Sequence, residues 1–131
     1  MRDFLLQITD DYEVDFVYDE TLKTFTLTQT VADVVRNNII MSIMLHKGEL
    51  PGALLLGSRR YEITNGGDNG ARDLERHDGE AMKWIADIGR AKSITVKAWS
   101  EPGQPGRLNE LITAVLPDGE IVPFETFFRV G

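Results

Sequence analysis

Cysteine is missing from all 131 residues, which removes any disulfide framework and any thiolate metal site. Long apolar runs are missing too. The longest, Ile39 to Leu45, contains Ser42 and falls far short of the ~20 residues that span a bilayer. Met1-Arg2-Asp3 leads into only a short apolar stretch between Phe4 and Ile8, so no signal-peptide core forms. Positive charge is scarce: 14 Lys and Arg stand against 21 Asp and Glu, for a net charge of −7. A broad basic face for phosphates is therefore not expected, and neither nucleic acid nor membrane is an expected partner. Synthesis in the cytoplasm follows as an expectation.

What is present fits one packed domain spanning residues 1–131, with 42% hydrophobic and 27% charged residues. The acidity is concentrated. Residues 1 to 35 hold Arg2 and Lys23 against eight acids, while the remainder is nearly balanced. Asp10, Asp11, Glu13, Asp15, Asp19 and Glu20 read as the solvated face of a strand rather than as a cation site.

Tyr12, Val14, Phe16 and Tyr18 alternate with mostly acidic residues, the period of a half-buried strand. Leu22 to Leu27 follows an Asp19-Glu20-Thr21 turn as its hairpin partner, and Phe4 to Ile8 adds a short strand. Thr30-Val31-Ala32-Asp33 matches a capping box and opens a helix expected over 31–47, with His46 and Lys47 at its negative end and Gly48 as its cap. Asn65 to Gly70 is the strongest loop signal. A second helix is expected over 71–88, stopped by Gly89, with Trp84 in the core. Strands then follow at Ile94 to Trp99, Leu108 to Leu116 and Ile121 to Val130. The last two are joined by the Pro117-Asp118-Gly119 turn, and Pro123 marks an edge or a bulge. The order βββ-α-α-βββ predicts an α+β fold with two main helices packed on one face of an antiparallel sheet. Ile39, Ile43, Leu45, Leu74, Ile85 and Ile88 are the expected buried set.

Catalytic motifs fail on inspection. Ser58 lacks a nucleophile elbow. The loop from Asn65 has Gly67 and Arg76 where a calcium loop needs an oxygen ligand and a glutamate, and it lacks the Lys of a phosphate loop. His77 with Asp73, Asp78 and Glu80 has no second histidine and reads as solvated, so no metal and no cofactor is assigned. A carboxylate pair is the one catalytic option left, as in glycoside hydrolysis.

Gly57-Ser58-Arg59-Arg60-Tyr61, Glu80-Ala81-Met82-Lys83-Trp84-Ile85 with Gly89, Ile94-Thr95-Val96 and the Pro117-Asp118-Gly119 hairpin together resemble a phage family. It is that of the small baseplate-wedge proteins of Mu-like contractile tails, named after the forty-sixth Mu gene product. The resemblance covers about residues 11 to 131. Where that family usually carries an arginine-glycine-tryptophan-tryptophan-glycine-aspartate run, this chain has Lys47-Gly48-Glu49-Leu50-Pro51-Gly52-Ala53. The wider wedge family that includes the T4 tail places a glutamate-proline-arginine motif before a strand. Asp87-Ile88-Gly89-Arg90 stands there in this chain and keeps the arginine.

The resemblance implies a structural subunit, not an enzyme, that assembles with larger baseplate wedge subunits, and with tail-hub proteins, around the tail tube of a phage or prophage. Its place would be the virion tail baseplate, after assembly in the host cytoplasm. Arg90 is the first candidate for partner binding. Arg59, Arg60, Tyr61 and Trp99 follow, because interfaces favour such residues at their centres. The competing readings are a carboxylate-dependent cell-wall glycoside hydrolase and an acidic regulatory binding module.

Overall fold

The structure, a computed structural model, describes residues 4–9, 13–28 and 30–130. Four short strands come first: β1 (Leu6–Ile8), β2 (Val14–Phe16), β3 (Tyr18–Asp19) and β4 (Thr24–Phe25). They form two antiparallel pairs, β1 with β2 and β3 with β4. The single strand expected from Tyr12 to Tyr18 is thus broken at Val17, and Tyr12 lies outside the described residues. Helix α1 (Val31–Met44) and helix α2 (Gly67–Asp87) follow, with a 3-10 turn (Arg60–Glu62) between them. Strands β5 (Ser93–Glu101), β6 (Gln104–Val115) and β7 (Ile121–Arg129) close the chain as an antiparallel sheet of order β5-β6-β7. The α+β class and the order of strands and helices are as the sequence predicts.

Local chemistry explains the helix ends. Thr30 Oγ1 accepts from the Asp33 amide at 3.1 Å and Asp33 accepts from the Thr30 amide at 3.3 Å, a complete capping box. At the far end of α2, the Gly89 amide reaches Ala86 O and the Arg90 amide reaches Ile85 O. With Gly89 at φ +82, this is a Schellman stop. Two expected boundaries move. Helix α1 ends at Met44 because Leu45 is already extended, so His46, Lys47 and Gly48 lie in a turn beyond it and do not cap it. Helix α2 begins four residues early, at Gly67, and absorbs most of the expected loop. A Cβ at Gly66 would meet Pro105 O at 2.1 Å and one at Gly70 would meet Asn65 O at 2.0 Å; these two glycines let the helix start pack closely on the beginning of β6 and on its own leading loop.

Ile39, Ile43, Leu74 and Ile85 are fully buried, as expected. Two expectations are corrected. Leu45 is only half-buried, since it follows the last helical turn, and Ile88, the C-cap of α2, is 55% exposed because the Schellman turn carries it away from the core. Trp84 packs half-buried against the main core cluster and donates its indole N–H to Ser42 Oγ at 2.9 Å. Pro123 sits in β7, an edge strand, where its missing donor is tolerated. The opposite edge is closed by α2: Glu75 accepts from the Ala98 amide at 2.9 Å and Arg72 donates to Ala98 O at 2.6 Å, which blunts β5 as a pairing template.

Candidate interaction surface

Arg60, expected at a partner surface, turns inward. Its side chain is 0% exposed, so the expectation is corrected. The cause is long-range: Arg60 makes a two-pronged contact with Asp78 of α2, Nε to Oδ1 at 3.2 Å and Nη2 to Oδ2 at 2.5 Å, and Nη2 also reaches Glu110 Oε1 of β6 at 2.7 Å. Ser58 Oγ donates to Asp78 at 2.7 Å and accepts from the Arg60 amide at 3.0 Å. One guanidinium therefore serves two buried carboxylates. Burial first, then the neighbouring Asp78 charge, push the Glu110 carboxyl well above the usual carboxylate range, with Arg60 pulling the other way. Among the described residues Glu110 Oε2 has no hydrogen-bond partner. Asp78 and Glu110 are the carboxylates the fold brings together, but at 0% and 1% exposure they are closed to a sugar substrate.

Tyr61 is also engaged within the chain. Its hydroxyl donates to Met44 O at 3.1 Å, a carbonyl at the end of α1, and its ring stacks on His46 at 3.6 Å. The parallel bridge between His46 and Ser58 holds this corner, and Gly57 is required there: at φ +110, a Cβ would meet Leu45 O at 2.7 Å. Arg59 stays exposed, with Glu62 at 3.9 Å, a pair worth little in solvent. Trp99 remains 43% exposed on the sheet face opposite the helices.

Arg90 lies where the sequence places it, on the corner after α2, and is exposed. Its Nη1 donates to Asn38 Oδ1 at 2.8 Å. Among the described residues no carboxylate lies within ion-pair distance of it, so its charge is held by a neutral amide. Arg90 borders a groove of about 490 Å³ together with Phe4, Phe16, Val34, Asn38 and Met41. Phe4 and Phe16 meet edge to face at 5.3 Å and are 48% and 45% exposed; Met41 is 41% exposed. Val14 and Tyr18 are similarly exposed. The apolar residues of the first strands thus keep roughly half of their surface in solvent.

Asn37, which the sequence reading passed over, builds one wall of this groove. Its Oδ1 accepts from the Leu6 amide at 3.0 Å and its Nδ2 donates to Phe4 O at 2.8 Å. It mimics a neighbouring strand for β1, and it is buried. The signal in the sequence is the Asn37-Asn38 pair directly before the apolar run of the helix, where buried polar side chains need a partner.

Comparison with protein-family models, with curated proteins and with solved structures finds no match to this chain.

Proposed function

We propose that the chain is a structural subunit of a phage or prophage contractile-tail baseplate, non-enzymatic, which docks on larger wedge proteins through the Arg90 groove. The observation that carries this reading is the convergence of an arginine whose charge has no carboxylate partner among the described residues with two exposed phenylalanines and an exposed methionine in one groove. Cationic and aromatic side chains around a partly desolvated pocket are the composition of interface centres. The Gly57 to Tyr61 and Gly89-Arg90 segments that resemble the wedge family are the ones that shape two rigid corners of the fold. Larger wedge subunits are the proposed partners, and the tail baseplate the proposed location.

The experiment is co-expression with a candidate large wedge protein, sought among the products of the genes neighbouring this one. A complex that survives size exclusion supports the reading; a folded chain that elutes apart from a folded wedge protein contradicts it. The hydrolase alternative makes a different demand: turnover of peptidoglycan by the purified chain, abolished by Glu110→Gln. The closure of the Asp78–Glu110 pair argues against that outcome.

A further inference from the structure

The sheet face turned away from the helices carries a second, separate constellation. Trp99, Asn109 and Phe127 lie in one cross-strand row over β5, β6 and β7, and beside them Arg107 of β6 stands directly opposite Arg129 of β7. Both guanidiniums are gathered on one ring: the Arg107 carbon lies 4.3 Å from the Phe127 centroid and that of Arg129 5.7 Å. Arg107 Nε donates to Asn109 Oδ1 at 3.2 Å, and Asn109 donates in turn to Glu101. Among the described residues no carboxylate comes within 4.0 Å of either guanidinium. Lys97, Glu101 and Glu125 are the other charges on this face.

Like charges placed directly opposite each other destabilise a strand pair. In a chain of net charge −7, two guanidiniums facing each other without a counter-ion among the described residues are a site that an anion relieves. A planar donor fork matches a carboxylate in shape, and the exposed indole of Trp99 with the half-buried Phe127 ring offers apolar contact beside it. The overall negative charge opposes a phosphate polymer.

We propose that this face is a docking surface for a carboxylate-bearing segment of a partner protein. Arg107 and Arg129 grip a glutamate or aspartate of that segment, and Trp99 and Phe127 receive its apolar neighbour. The inference goes beyond the baseplate reading and does not rest on it, since the Arg90 groove shares none of these residues.

The test titrates the full isotope-labelled chain with an acetylated Leu-Glu-Phe-Glu-Leu peptide and with its glutamine counterpart. The glutamate peptide is expected to shift the Trp99 indole and the Arg107 and Arg129 Nε–H signals, to lose most of that effect at about 0.5 M salt, and to bind about tenfold or more tighter than the glutamine peptide. R107Q/R129Q is expected to lose the binding while its thermal midpoint stays at or above that of wild type, because a repulsive pair has gone. R107K/R129K, which keeps both charges without the planar fork, is expected to fold normally and bind the peptide more weakly. The proposal is overturned if the glutamate peptide shifts none of these signals, if both peptides bind alike, if R107Q/R129Q binds unchanged or melts lower than wild type, or if inorganic phosphate or a DNA duplex displaces the peptide at lower concentration than free glutamate does.

Discussion

The Arg60 cluster and the Arg90 groove use the same residue type in opposite ways. Arg60 is sealed from water and holds two carboxylates that lie 18 and 50 residues away in the chain. Arg90 is exposed and held by the neutral side chain of Asn38. A buried cation must be matched by buried anions or it unfolds the chain, so the charge of Arg60 is consumed by the fold. An amide fixes the position of Arg90 without neutralising it, and its charge stays available. The same contrast runs through the apolar residues. Ile39, Ile85, Leu108 and Ile112 are fully enclosed between helices and sheet, whereas Phe4, Val14, Phe16 and Tyr18 at the start of the chain leave roughly half their surface in solvent.

The contrast can be broken most sharply at Arg60. Arg60→Met leaves Asp78 and Glu110 buried without a cation and is expected to cost ~3 to 5 kcal/mol in urea unfolding; a loss under about 1 kcal/mol would mean that the cluster is open to water. Next comes Ile85→Ala, expected to cost ~2 to 5 kcal/mol through lost burial and a cavity. Asn37→Ala removes both hydrogen bonds that hold β1 on α1, and ~1 to 3 kcal/mol is expected from the backbone groups left behind. Hydrogen exchange at the Leu6 amide reports it directly, and unchanged protection would show that β1 is held by other contacts.

A further stability effect depends on pH. The Glu110 carboxyl is raised above its ordinary 4.5, so the folded chain keeps a proton there that the unfolded chain has lost. The stability tied to that proton is complete below pH 4.5 and declines as pH rises toward the folded value, by up to ~1.4 kcal/mol per pH unit. Glu110→Gln, which copies the protonated shape, is expected to gain on wild type as pH rises through that window. Parallel stability curves for the two proteins would show that Glu110 is charged in the fold.

Much of this architecture is written locally. The Thr30 capping box, the Gly89 stop and the Pro117-Asp118-Gly119 turn each depend on neighbours within a few residues, and all three are readable in the sequence. Burial of Arg60 is not, because its cause lies in α2 and β6, far along the chain. Period-two alternation in Val14 and Phe16 identifies a strand but not how far its apolar side is covered; these side chains keep a little under half of their surface in solvent. The early start of α2 is hidden for a similar reason: among the glycines that signal a loop in isolation, Gly66 is required by the approach of Pro105 and Gly70 by that of Asn65. Of the five expected contact residues, Arg90, Arg59 and Trp99 stay at the surface, while Arg60 and Tyr61 are bound into the fold.

The central claim is that the exposed set at the Arg90 groove serves a partner and not the fold, and one paired measurement addresses it. Arg90→Ala and Phe16→Ala are each compared with wild type for unfolding free energy and for affinity to the large wedge subunit. The account predicts stability losses within ~1 kcal/mol together with affinity losses of ~2 kcal/mol or more, the scale of interface hot spots. Wild-type affinity in both variants, with the cost appearing in the stability of the isolated chain, would contradict it.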